Sequence, residues 1–262
     1  MMLKMIHHGK QNLPPRILVY GTEGVGKSTF ASGTPNPIFV PTEDGIGQIS
    51  TSSFPLSRTF SEFIRYLDTL VHEDHSYSTV VVDSLDWLER LVHDDVCREY
   101  GVRSIEKADG GYGKGYVHAL TQWRKVLDLL QTLRIEKKMI VILIAHAKVE
   151  THSDPESASF DRFSPKLHKA ANALLCEWCD MILLATRKRG ASLGERRGGR
   201  ILRCVGSPTC VAKNRFALPE ELPLVWTSLM QAICTPPPAG PDRPSDPTSE
   251  SPSAPDSEQE HN

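Results

Sequence analysis

The chain has 262 residues, 39% of them hydrophobic and 24% charged, with a formal net charge of -2. That is enough apolar material for one substantial core, and the near-neutral balance excludes a protein drawn to nucleic acid by its overall charge, so any such binding must come from a local patch. The opening MMLKMIHHGKQNLPPR lacks the apolar centre of a secretory signal, and no segment approaches the ~20 apolar residues of a membrane span; a cytoplasmic protein with reduced thiols is expected.

After Pro14-Pro15, RILVYG reads as a short buried strand, and a glycine-rich turn leads into a helix from about Lys27. Pro35 and Pro37 punctuate the chain before a second strand, PIFVPTED. From Ser61, the residues Phe63, Ile64, Leu67, Leu70 and Val71 have helical spacing, and STVVVDS follows as a third strand. Ser84 is placed to cap a helix carrying Leu85, Leu88, Val92 and Val96. Beyond the interval ADGGYGKGY, a further helix sets Val117, Leu120, Trp123, Leu127 and Leu130 on one face. MIVILIAH, continuous and rich in β-branched residues, suits the centre of a sheet covered on both sides.

The remainder divides into a polar segment, KVETHSDPESASFDRFSP, a helix over Lys166 to Trp178, a strand DMILLAT and a strand-like run RILRCVGS. Alternation of this kind predicts an α/β domain with a doubly wound, mostly parallel sheet and helices on both faces. The domain is expected over residues 16–234, after an N-terminal segment 1–15. Residues 235–262, TPPPAGPDRPSDPTSESPSAPDSEQEHN, contain almost nothing to bury and read as a disordered Pro/Ser-rich acidic tail.

Cys176-Glu177-Trp178-Cys179 is the one close cysteine pair, but no second CxxC accompanies it. Within ANALLCEWCDMILLA, buried thiols are the plainer reading, and no metal is assigned to them.

GTEGVGKS fits the phosphate-binding pattern G-x-x-x-x-G-K-[ST] completely. Gly21, Thr22, Glu23, Gly24, Val25, Gly26, Lys27, Ser28 and Thr29 form the expected cradle. Its glycines let backbone N–H groups wrap the phosphates, Lys27 reaches the β- and γ-oxygens, Ser28 offers a hydroxyl to Mg²⁺, and the helix N-terminus adds its positive dipole end. ATP and Mg²⁺ are the expected cofactors. Asp83, closing TVVVD, stands where a magnesium-supporting carboxylate belongs. The residue after it is Ser84 and not a glutamate, so the group that polarises water must come from elsewhere. Glu43, at the end of the strand following the loop helix, opens onto the same crevice and is the candidate. His146, ending MIVILIAH, is either a γ-phosphate sensor or a strand-end histidine with local partners.

These features together resemble the ATPase core of RecA/RadA-type recombinases and the related hexameric helicases. More narrowly, IEKADGGYGKGYVHAL, SPKLHKAANALLCEWCDMILLA and VAKNRFALPEEL resemble a family of phage-encoded RecA-like ATPases linked to single-strand annealing and recombination. The resemblance covers most of residues 16 to 227. It implies DNA-stimulated ATP hydrolysis and self-association into a ring or filament, with ATP held between neighbours. In that arrangement Lys213 and Arg215 of Lys213-Asn214-Arg215 would complete an adjacent subunit's site, a cation in trans being worth ~10³–10⁵ in rate. The added terminal domain that larger recombinases use is missing from this pattern, which puts unaided strand exchange in doubt.

Arg187, Lys188, Arg189, Arg196, Arg197, Arg200 and Arg203 crowd one glycine-containing segment opposed only by Glu195. They are a candidate track for single-stranded DNA, with GGYGKGY and KVETHSDPESASFDRF as the contacting loops and Tyr112 and Tyr116 as stacking residues. The same arginines, as solvated side chains, would have no such role. The acidic tail would compete for that surface or recruit a single-strand binding protein. Two other classes share the loop: a small-molecule kinase, whose arginine-rich lid the cluster would imitate, and an ATP-gated adaptor without turnover. Asp44-Gly45-Ile46-Gly47 superficially fits D-x-x-G, but no N-K-x-D-type guanine-reading sequence accompanies it.

Overall fold

Each apolar strand sends alternate side chains to opposite faces of one sheet, and helices cover both. The computed structural model describes residues 9, 12–153, 159–188 and 198–235. The first half of the chain lays down β1 (Arg16–Gly21), α1 (Lys27–Ser32), β2 (Pro37–Pro41), β3 (Ser52–Ser53), α2 (Phe60–His72), β4 (Thr79–Asp83), α3 (Leu85–Glu99) and α4 (Lys114–Glu136). The second half adds β5 (Ile140–His152), β6 (Phe160–Pro165), α5 (Lys169–Trp178), β7 (Met181–Arg187), β8 (Arg200–Arg203), β9 (Lys213–Asn214), β10 (Glu221–Pro223) and α6 (Trp226–Cys234).

The sheet order is β10-β8-β7-β1-β5-β4-β2-β3, with β6 pairing β5 and β9 pairing β7. From β7 across to β3 the pairs are parallel, while β8, β9, β10 and β6 join antiparallel. Leu18, Tyr20, Val80, Val82, Val141 and Leu143 face a core shared with Phe63, Leu88, Trp123 and Leu175 of α2 to α5. Ile17, Val19, Val81, Ile142 and Leu183 face the other core, closed by Phe30 of α1 and Trp226 and Leu229 of α6. This two-sided burial is why the strands read as unbroken apolar runs.

β1 lies between β5 and β7, so the sheet reverses its winding at β1, and the crevice beyond its carboxyl end is the natural ligand position. The register sets Gly21 beside His146, Asp83 beside Ile144 and Pro41 beside Asp83. The ends of β1, β2 and β4 thus converge on one mouth beside His146 of β5.

Several expectations are corrected. β5 does not stop at His146: it continues to His152 and pairs with β6, so most of the segment expected to be a polar loop is a hairpin. It lies beyond the covering helices, where cross-strand polar pairs such as Thr151–Asp161 and Glu150–Arg162 serve in place of apolar alternation. On α4 the buried side is Ala119, Trp123, Val126, Leu127, Leu130 and Leu133, which keeps Trp123, Leu127 and Leu130 of the expected face, whereas Leu120 is half-buried and Val117 is 61% exposed. α5 begins at Lys169 rather than Lys166, whose N–H is spent on the His146 carbonyl. α6 has no counterpart among the expected elements, although Trp226, Leu229, Met230 and Ile233 have helical spacing. The tail beyond Thr235 lies outside the described residues.

Candidate nucleotide site

β1 delivers the loop to the crevice. Gly21 ends the strand so close to β7 that a Cβ there would collide with the carbonyl oxygen of Ala185. Thr22, Glu23 and Gly24 arch outward, exposed, and Val25 is 3% exposed and anchors the arch to the core. Gly26 precedes α1 with φ 109°, a conformation side chains rarely adopt. Lys27 turns back inside the loop and donates to the carbonyls of Gly21 and Thr22, both at 3.1 Å. Burial lowers its pKa, opposed by Asp83, Glu43 and Asp86. Two neutral carbonyls are the direct partners of this buried ammonium, and a phosphate in the crevice would favour its charged form.

Ser28 Oγ donates to Asp83 Oδ2 at 2.6 Å. Asp83 is 2% exposed, its pKa is raised chiefly by that burial, and its Oδ1 is buried without a hydrogen-bond partner. A hydroxyl beside a carboxylate that keeps one oxygen without a partner is a pair of hard-oxygen donors that fits Mg²⁺. Among the described residues no group of three or more His, Cys, Asp or Glu side chains gathers for a metal ion. Ser28 and Asp83 would accordingly hold Mg²⁺ jointly with substrate phosphates and water, as magnesium prefers.

Across the mouth, Thr42 is locked to the start of α3: its N–H donates to the Asp83 carbonyl at 2.8 Å, its hydroxyl donates to the Ser84 carbonyl at 2.6 Å and accepts from Ser84 N–H at 3.0 Å. This fixes the backbone that presents Glu43. Burial raises the Glu43 pKa, with His146 acting against it, and Glu43 Oε2 lies 3.9 Å from His146 Nδ1. His146 in turn is held by Asp86: its backbone N–H lies 3.1 Å from Oδ1 and its Nδ1 3.0 Å from Oδ2. The Asp86 hydrogen bond raises the His146 pKa against desolvation. Burial is the largest single influence on Asp86, but the hydrogen bonds and charge of His146 outweigh it and hold the carboxyl below its ordinary range.

The sequence gives no direct sign of Asp86, which reads as an ordinary first-turn acid in SLDWLER. Its place in the first turn of the helix that starts directly after the strand ending in Asp83 was the available signal, since that turn opens on the crevice. A second unanticipated residue is Arg200. The sequence groups it with a DNA-facing arginine cluster, yet it lines the nucleotide cleft, its NH1 standing 2.8 Å from where a Cβ on Gly26 would be. Of the other cluster members, Arg187 stands opposite Arg200 on the neighbouring strand. Lys188 and Arg203 face Glu221 at 3.6 and 3.8 Å, an opposing acid that the sequence order hides, and Arg189, Arg196 and Arg197 lie outside the described residues.

Lys213 and Arg215 are not part of the crevice. Lys213 Nζ donates to the carbonyls of Cys176, Glu177 and Cys179 at 2.8–3.1 Å, capping the end of α5. Arg215 NH1 donates to Asp180 Oδ1 at 3.3 Å and its side chain is 55% exposed. Asp180 immediately precedes β7, so the pair sits at the amino-terminal end of the parallel strands, away from the P-loop. The CxxC brackets the same helix end: Cys179 is fully buried with its thiol pKa pushed up, and burial raises Cys176 to about 11. Tyr112 is fully exposed, whereas Tyr116 stacks on His168 with ring centroids 4.0 Å apart.

A glycine-rich loop of the phosphate-binding pattern at a sheet's winding reversal, a serine bonded to a buried aspartate and strand ends meeting above it define a P-loop nucleoside triphosphatase fold. A family model described as an AAA domain matches residues 13–216, and the chain belongs to that family, a family of nucleotide-binding P-loop ATPases. It is also similar to the SPbeta prophage-derived uncharacterized protein YorG of Bacillus subtilis (strain 168), 24% identical over 135 residues, which are 50% of this chain and 40% of that protein. The chain thus spans well under half the length of this relative. Among the described residues no helix is long and apolar enough to cross a membrane.

Proposed function

We propose that the chain hydrolyses ATP in this crevice and couples the nucleotide state to single-stranded DNA, in phage recombination, annealing or replication. The observation that carries the reading is the contact chain Glu43–His146–Asp86, which reaches from the mouth of the phosphate loop into β5. The prophage relative supports the phage setting.

Lys27 would leave its loop carbonyls for the phosphate oxygens, Ser28 and Asp83 would hold Mg²⁺, and Mg²⁺ supplies neutralisation of charge developing on the γ-phosphoryl oxygens. Glu43, poised by burial and its histidine neighbour, orients the attacking water. His146 senses the departing charge, and because β5 runs unbroken from His146 into the β5–β6 hairpin, that signal has a direct path to a projecting surface bearing Lys148, Arg162 and the partly exposed Val149 and Phe163. Arg215, exposed, is the better placed of the Lys213/Arg215 pair to serve a neighbour. Lys213 would have to abandon three carbonyls to do so.

Phosphate release, measured without any acceptor substrate, with and without single-stranded DNA and across protein concentrations, tests this reading. Release that rises with DNA, and per-subunit activity that rises with concentration, are expected. Turnover only with an acceptor would make the chain a kinase, and nucleotide binding without turnover would make it an adaptor.

A further inference from the structure

Resting on the nucleotide reading above, we propose that a second cavity, behind the Asp86–His146 pair and outside the nucleotide crevice, is an oxyanion site that takes a phosphate group. The cavity, about 210 Å³, lies between α3, β5 and the link from β6 to α5, and its wall carries Arg90, His93, Lys148 and Lys166 together with Asp86 and Glu89. At the ~30 Å³ that a water molecule occupies in the liquid, it has room for one phosphate and some of its waters. His146 lines the nucleotide crevice, Asp86 lines this cavity, and the two are hydrogen-bonded at 3.0 Å, so one pair of side chains is the partition between the spaces.

The frame is fixed before anything binds. Lys166 N–H donates to the His146 carbonyl at 2.8 Å, Lys148 Nζ donates to the Leu167 carbonyl at 2.8 Å, and His168 N–H lies 2.9 and 3.0 Å from the two Glu89 carboxylate oxygens. Three elements are thereby pinned around the cavity, and a site already in place loses little freedom on binding. Its charges are unbalanced in favour of an anion. Asp86 is engaged with His146, and Lys148 lies 3.4 Å from Glu150, but among the described residues neither Arg90 nor Lys166 is paired with a carboxylate. Arg90 lies over the Trp87 ring, 4.1 Å from its centroid, which leaves the N–H groups in the guanidinium plane for hydrogen bonds. The remaining acid, Glu89, is pushed up to about 7 by burial, with the His168 N–H and Lys148 opposing, so near neutral pH it resists an anion only in part. His93, its pKa lowered by burial, adds a ring nitrogen rather than a charge. A phosphate cut from ATP would face Glu43 and Asp83 on the crevice side and Arg90, Lys148 and Lys166 on the other, so the field runs from the crevice toward the cavity. A backbone phosphate of a strand lying at the base of the β5–β6 hairpin would offer the same chemistry.

The test titrates inorganic phosphate calorimetrically into the full chain carrying Lys27→Ala, and into the unmodified chain saturated with Mg²⁺ and a non-hydrolysable ATP analogue, so that the phosphate loop cannot be the receiver in either. Phosphate should bind in both. Arg90→Gln together with Lys166→Gln, which alter two exposed side chains, should weaken it roughly tenfold or more. Glu89→Gln keeps an oxygen for the His168 N–H and removes a negative charge, so at pH 8, where Glu89 is ionised, it should tighten phosphate binding severalfold. No phosphate binding in either preparation, or an affinity that ignores these substitutions, overturns the proposal. Adding single-stranded oligothymidylate separates the sources of the group: displacement of phosphate assigns the site to the backbone of a bound strand, and no displacement assigns it to free phosphate. If the unmodified chain takes up no ATP analogue, the nucleotide reading falls on its own, and the Lys27→Ala titration still decides the cavity.

Discussion

His146 cannot be understood apart from Asp86, because the carboxylate takes both its backbone N–H and its ring nitrogen. The hydrogen bond that His146 donates to the Asp86 carboxylate is the main influence raising the His146 pKa, so the imidazolium persists to higher pH than a free histidine. Asp86→Asn removes that influence while leaving burial, which opposes the charge. His146 should then lose its proton at lower pH, and the limb of the turnover profile that reports it should move downward. A profile that stays in place would show that His146 titration does not govern activity. Lys27, Ser28 and Asp83 were legible in the sequence because their chemistry is tied to fixed spacing after a strand. Asp86 and Arg200 were not, since their roles come from a helix turn and from strand order, which bring distant stretches to one loop.

At the scale of elements, α5 ends without a glycine cap, and Lys213 from β9 fills that need with three charge-assisted hydrogen bonds. Lys213→Met should therefore lower stability by about 1–3 kcal/mol, read as a fall in the thermal or urea midpoint, whether or not the chain assembles. Arg215→Ala removes one bond of a half-exposed side chain and should shift the midpoint far less. If Arg215 serves a neighbour, mixing Arg215→Ala with Lys27→Ala subunits should restore turnover that neither has alone, and additive inactivity of the mixture would remove the trans role. The elements that periodicity marked most plainly, β1, β4, α2 and α3, formed as expected because both sheet faces demand apolar side chains. The hairpin and α6 carry no comparable signal in the sequence. One is stabilised by polar pairs that look like loop, and the other is short and directly precedes a proline-rich stretch.

For the whole molecule, Asp180 ties together parts of the chain far apart in sequence. It accepts from Arg16 N, Nε and NH2, lies 3.5 Å from Arg134 NH2, and meets Arg215, so the start of β1, the start of β7 and the end of α4 share one carboxylate. Burial resists its ionisation, but these partners, Arg16 first, hold its pKa below the ordinary value. A depressed folded pKa means the contribution is fully present above the unfolded value, roughly 3.9, and is lost as pH falls through the lower folded value. Asp180→Asn should thus reduce stability at neutral pH and flatten the acid side of the stability curve; equal loss at every pH would assign the effect to packing instead.

The central claim is that Glu43 orients the water that attacks a triphosphate held by the loop. The most direct measurement is phosphate release by Glu43→Gln beside the unmodified chain, with ATP affinity measured on both. The account requires ATP binding within a fewfold of normal and turnover reduced by ~10²–10⁴. Turnover that survives the substitution would contradict it and place the water-orienting group elsewhere in the crevice.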